Sequence, residues 1–167
     1  MSDKQIEIAG TSNRYLMKKC MKIPKEIKLR KSVSHISSDL FASDGQLSLL
    51  SDKNENIIEQ IKCKLSSYKQ QDVEKKIYDA TKIVNLDETF DLLSACNLSC
   101  YYCSSKLLLL YENVREKSQW TLDRINNDLG HNRDNILIAC LECNLKRRNK
   151  SKSAFLFTKN LVISKCD

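Results

Sequence analysis

Two C-x-x-C pairs, Cys100-Tyr101-Tyr102-Cys103 and Cys140-Leu141-Glu142-Cys143, constrain this chain more than any other feature. A two-residue gap lets both sulfurs of a pair turn toward one ion, and two pairs supply the four thiolates of a tetrahedral zinc site. The 36 residues between the pairs exceed the spacing of a compact zinc ribbon, so an inserted structural unit is expected between the knuckles. A closed shell of four thiolates leaves no position for water, so such a zinc is structural rather than catalytic. The region it would staple, 94–167, is short enough for a single hydrophobic core to be marginal. Cys96 could compete as a ligand but reads as a spare thiol, together with Cys20, Cys63 and Cys166.

Eight cysteines behind a start, MSDKQIEIAG, that lacks an apolar h-region point to a reducing compartment. The expected location is therefore intracellular, in the cytoplasm or nucleus of a host cell or associated with a virion, and not secreted. The longest aliphatic run, Leu107–Leu110, falls far short of the roughly 20 residues of a membrane span. Three glycines and one proline exclude collagen-like and Gly/Pro-rich low-complexity chains.

The net charge of +7 is concentrated at the two ends. Residues 14–31 and 144–167 are strongly basic, whereas the stretch between them carries more acidic than basic residues. Clustered positive charge suits a polyanion such as nucleic acid, although solvated surface lysine accounts equally well for the N-terminal cluster. Pro24 interrupts the only amphipathic candidate for a membrane surface, so no membrane partner is expected.

Residues 1–53 read as a basic segment followed by a linker with seven serines and a short apolar anchor at Leu47, Leu49 and Leu50. Residues 54–93 read as helical. Ile57, Ile58, Ile61, Leu65 and Tyr68 recur at helical spacing; so do Val73, Ile77, Ala80 and Val84, with Asp72 as their expected N-cap. Asp87 is the expected cap of a short third helix through Leu93. The fold class expected is α+β: a helical N-terminal part followed by a small zinc-stapled domain over 94–167.

Between the knuckles, Trp120–Ile125 alternates as a strand, with Trp120 and Leu122 facing one way and Thr121 and Asp123 the other. A polar turn follows, then a second strand over 135–139, the second knuckle, and a helix opening at Asn144. Strand, loop, strand and helix make a ββα unit that brings Asp123 near Asn144. One carboxylate and one amide oxygen suit a hard divalent ion such as Mg²⁺.

The segment CYYC…QWTLDRINNDLGHNRDNILIACLECNLKRR resembles the zinc-containing branch of the HNH (His-Me finger) nucleases, close to the HNH proteins of large DNA viruses and phages. The resemblance extends over roughly 60–165. It implies a ββα-metal domain and a one-metal endonuclease that hydrolyses phosphodiester bonds in DNA. Asp123 and Asn144 match the positions that hold the catalytic ion, Mg²⁺ or Mn²⁺, beside the structural Zn²⁺. Asn135 matches the middle asparagine, whose usual role is to fix the loop and the base. The residue after the strand aspartate is usually the histidine base, and here it is Arg124, which stays protonated and can only clamp a phosphate.

His131 is the remaining base, weighed against a turn residue bonded to backbone; His35 is incidental, and Asp134 and Glu142 are weaker bases. Lys146, Arg147 and Arg148 are expected on the DNA backbone. The alternative is a catalytically weakened HNH-like zinc module that binds nucleic acid or serves as a structural virion protein.

Overall fold

The computed structural model describes residues 28–34, 36–42 and 45–161. Most of the basic N-terminal cluster, His35, Cys20 and Cys166 lie outside the described residues, and the α-helices among the described residues begin at Gln46.

Helix α1 (Gln46–Ser51) is short and held by a buried side chain. Gln46 Nε2 donates to Leu110 O at 2.9 Å, while its Oε1 accepts from Leu109 N at 2.6 Å and Leu110 N at 3.0 Å. That one amide satisfies three backbone groups of the apolar run 107–111, which a buried segment without a sheet partner otherwise leaves open. Val33, Ile36 and Leu50 are buried in the same core. The serine-rich stretch expected as a linker is therefore anchored to the core at these residues, while most of its other described residues are exposed.

Helix α2 (Glu55–Glu74) is capped by Asn54, whose side chain accepts from Asn56 N at 3.0 Å. Ile57 and Ile61 are completely buried, and the same face continues through Tyr68 to Asp72. The helix ends there. Lys76 adopts a left-handed φ of 59°, and residues 75–85 form turns and a bridge at Ile83 in place of the second helix expected from the Val73–Val84 pattern. Asp72 is not a cap but a buried residue in the last turn of α2. Helix α3 (Leu86–Ala95) starts before the expected Asp87 because Asn85 and Glu88 form a reciprocal capping box.

The sheet has two antiparallel strands, β1 (Trp120–Arg124) and β2 (Ile136–Cys140), in register from Trp120↔Cys140 to Arg124↔Ile136. A two-stranded ribbon is marginal alone, so both faces are covered. Trp120 and Leu122 on one side and Thr121 and Asp123 on the other are all buried. The Tyr68 hydroxyl of α2 accepts from Leu122 N at 3.1 Å, and Leu108 O accepts from Trp120 N at 3.1 Å. Helix α4 (Leu141–Arg147) leaves β2 directly, three residues earlier than expected, with Cys140 as its N-cap; the second knuckle thus lies within the helix start. Helix α5 (Lys152–Asn160) packs Phe155 edge-on against Tyr102, ring centroids 4.9 Å apart.

The architecture is thus mixed helix and a small antiparallel sheet beside a cluster of four cysteines. No helix among the described residues is long and apolar enough to cross a membrane.

Candidate metal centre and the adjoining polar cavity

The Sγ atoms of Cys100, Cys103, Cys140 and Cys143 all lie within 4.8 Å of one another. The first knuckle is a tight turn, with Asn97, Leu98 and Ser104 all at left-handed φ near 50°. Tyr101 N donates to Ile138 O at 2.9 Å and ties this turn to β2. The second knuckle follows from the strand-to-helix junction. Cys140 N donates to Cys100 Sγ at 3.3 Å, and Cys143 N donates to Cys140 Sγ at 3.4 Å. Lys159 Nζ stands 3.6 Å from Cys143 Sγ.

Backbone N–H groups and a cation aimed at sulfur favour thiolate character. The hydrogen bond from the Cys140 thiol pulls the Cys100 thiol down to about 4, and burial pushes Cys143 up to about 11. Four crowded sulfurs that compete for protons are a set a cation can replace those protons in. These residues can hold a metal ion; Cys96 stands outside the cluster, bonded to Leu93 O at 3.3 Å.

Beyond β1 a cavity of about 490 Å³ opens, lined among others by Tyr68, Asp123, Arg124, His131, Asn144 and Arg148. Asp123 is 3 % exposed. Arg147 Nε donates to its Oδ2 at 2.7 Å, Arg147 Nη2 donates to its Oδ1 at 2.8 Å, and the Tyr102 hydroxyl donates to Oδ2 at 2.7 Å. Burial, and then this bond to Asp123, raise the Tyr102 hydroxyl well above the usual tyrosine range. Arg147 also reaches Lys150 O at 2.6 Å, Asn127 Oδ1 at 3.3 Å and the Arg124 carbonyl.

Arg147 is 1 % exposed. The expectation that it meets nucleic acid beside Lys146 and Arg148 is corrected: α4 turns it inward, where it neutralises Asp123. Lys146 and Arg148 do remain on the surface, Lys146 paired with Glu142 at 2.9 Å.

His131 is 4 % exposed and held from two directions by one carboxylate. Its backbone N donates to Asp72 Oδ2 at 2.6 Å, and its Nδ1 lies 2.8 Å from Asp72 Oδ1. A carboxylate accepts, so Nδ1 carries the proton and Nε2 is left as a basic nitrogen. Among the described residues Nε2 has no hydrogen-bond partner. Burial lowers the His131 pKa below its usual value, while Asp72 opposes that shift. The Tyr68 ring lies against the imidazole at 4.4 Å. Gly130 permits this approach: a Cβ there would fall 2.7 Å from Ile77 O and 2.9 Å from Asp72 Oδ2.

Asn135 does not line the cavity. Its Nδ2 donates to Asn126 O at 2.9 Å and Gly130 O at 3.0 Å, and its Oδ1 accepts from Asn126 N at 2.9 Å, so it closes the loop that carries His131. Arg124 Nη1 donates to Asn127 O and Leu129 O, both at 3.1 Å. Asn144 Nδ2 donates to Thr121 Oγ1 at 3.1 Å, which leaves its amide oxygen as the atom available to a cation. A carboxylate has about four lone-pair sites; Arg147 and Tyr102 take three on Asp123, leaving one on Oδ1. One oxygen from Asp123 and one from Asn144 therefore fit a hard divalent ion that keeps most of its water, against the opposing charge of Arg147.

Asp72, Tyr68 and Tyr102 are site residues that the sequence reading missed. A signal existed for the first: Asp72 lies four residues after Tyr68, on the apolar face that begins at Ile57 and Ile61. No family model matches this chain, and no curated protein or solved structure matches it.

Proposed function

We propose that the chain is a zinc-stapled HNH-type endonuclease that hydrolyses phosphodiester bonds in DNA. The observation that carries this reading is the convergence of Asp123, Arg124, His131 and Asn144 on one cavity, with His131 oriented by Asp72. The sulfur geometry supports zinc as the structural ion. A tetrahedral ion with Zn–S of about 2.3 Å sets its ligands about 3.8 Å apart, and Cys103 and Cys140 already stand at 3.8 Å.

In this reading Nε2 of His131 takes a proton from a water in the cavity, while Asp72 stabilises the imidazolium and fixes its tautomer. Arg124, anchored by the loop carbonyls at 127 and 129, offers its guanidinium to the scissile phosphate. A divalent ion on Asp123 and Asn144, Mg²⁺ or Mn²⁺, would supply charge neutralisation at the phosphate when bound. Asn135 holds the loop geometry and takes no chemical step.

The second reading, a nucleic-acid-binding module without catalysis, is favoured by one observation: Arg147 already pairs with both oxygens of Asp123. Plasmid nicking by the purified zinc-loaded protein, with and without added Mg²⁺ or Mn²⁺, separates the two. Nicking that depends on the ion supports the nuclease; DNA binding without nicking supports the module.

A further inference from the structure

A second concavity of about 610 Å³ adjoins the first along α4, and its charge is one-sided. Arg115 and Lys117, from the loop before β1, face Lys146, Arg148 and Lys150 from α4 and the turn after it. Among the described residues, the only carboxylate in its lining, Glu142, is paired with Lys146. The two concavities share a rim, since Leu145 and Arg148 line both.

That rim has two unusual features. Leu145 is 62 % exposed, an aliphatic side chain standing among cations. Arg148 occupies φ 52°, ψ −118°, a backbone conformation that favours glycine and strains a residue with a Cβ. Glycine would relieve that strain but would remove the one guanidinium common to both concavities.

We propose that this groove is a track for the sugar–phosphate backbone of duplex DNA, continuous with the cavity across Leu145 and Arg148. Arg115, Lys117, Arg148 and Lys150 contact successive phosphates, and Leu145 packs on sugar or base edges at the crossing. The proposal rests on the reading that the cavity meets DNA, and it adds residues that the chemistry does not use. Charge complementarity decides the occupant: cations from two separate segments line one depression, and phosphate neutralisation with counterion release is the main source of backbone affinity.

The test is fluorescence anisotropy with a short labelled duplex, across a salt series, on the full-length zinc-loaded protein without added divalent ion. Arg115→Glu with Lys117→Glu is expected to weaken binding about tenfold or more and to flatten the log K against log salt slope by about two. The same charge change at exposed positions elsewhere, Lys53→Glu with Lys62→Glu, should do far less. Arg148→Gly should weaken binding while raising the melting temperature, a combination that a merely structural arginine would not give.

Equal losses from the two double variants would overturn the track, as would unchanged binding in the first. A wild-type preference for single strands or RNA would overturn duplex DNA as the occupant. Failure here is distinct from failure of the nuclease reading. Nicking that survives Arg115→Glu with Lys117→Glu at full affinity rejects the track alone, whereas groove-dependent binding without nicking rejects the nuclease alone.

Discussion

Asp72 and His131, 59 residues apart in the chain, are joined twice: the carboxylate accepts both the backbone N–H of His131 and its ring Nδ1. One residue thus fixes the position and the tautomer of the only histidine among the described residues that line the cavity, and raises its proton affinity against the larger effect of burial. If His131 is the base, the acid limb of the pH–rate profile reports its deprotonation and lies below the usual histidine range, because burial dominates. Asp72→Asn removes the charge that favours the imidazolium, so the limb should move to still lower pH while the plateau rate falls. A purely structural role for Asp72 would lower the rate without moving the limb.

The cysteine cluster predicts a folding dependence on metal. Cys100→Ser should lose the bound ion and cooperative unfolding together, because binding free energy is folding free energy in small domains of this kind. Metal analysis and circular dichroism on the variant check it. Retained metal with native spectra would exclude Cys100 as a ligand.

The buried Arg147–Asp123 pair predicts a cost for breaking it from either side. Removing one partner of such a pair leaves an uncompensated charge and costs about 3–5 kcal/mol. Arg147→Met alone should fall in that range by denaturant unfolding, whereas Arg147→Met with Asp123→Asn should recover much of it. A loss below about 1 kcal/mol for Arg147→Met would mean that the pair is not buried in solution. Asp123→Asn, not Asp123→Ala, is then the variant for activity, since it keeps an acceptor for Tyr102.

These polar pairings mark the limit of what the sequence discloses. The C-x-x-C spacing exposed the cysteine cluster, and the patterns from Trp120 and from Asn135 exposed both strands to within a residue or so. Ile57 and Ile61 exposed the buried face of α2. What stayed hidden depends on contacts distant in sequence. Arg147 sits in a basic run that looks solvated, and only the placement of α4 directly on β2 turns it toward Asp123. Asp72 looks like a helix cap because short polar residues favour that position locally, yet its carboxylate is bonded to His131. The anchoring of the serine-rich segment is likewise decided by Gln46 reaching Leu109 and Leu110.

Lys64 predicts a second pH dependence, in stability. Its Nζ donates to Gln119 Oε1 at 3.2 Å and to the Trp120 carbonyl, over the Trp120 ring at 4.7 Å. Burial, and then the nearby Arg30, bring its pKa down to about 7 from the 10.5 of the unfolded chain. Between those values the unfolded state binds more protons, so stability rises with pH across this window and the cost is fully present below 7. From pH 7 to 9 the wild type should gain about 1–2 kcal/mol relative to Lys64→Met, less than a full proton's worth because part of the side chain is exposed. Parallel pH curves for the two proteins would place Lys64 in solvent.

The most direct test of the central claim is nicking of supercoiled plasmid by zinc-loaded wild type and His131→Ala side by side, with added Mg²⁺ or Mn²⁺. The expected result is ion-dependent nicking by the wild type and a loss of about 10²–10⁴-fold in the variant, with melting temperatures close enough that unfolding does not explain it. Absence of nicking by the wild type on plasmid, single-stranded and branched DNA would contradict the nuclease, and equal rates for the two proteins would remove His131 from its chemistry.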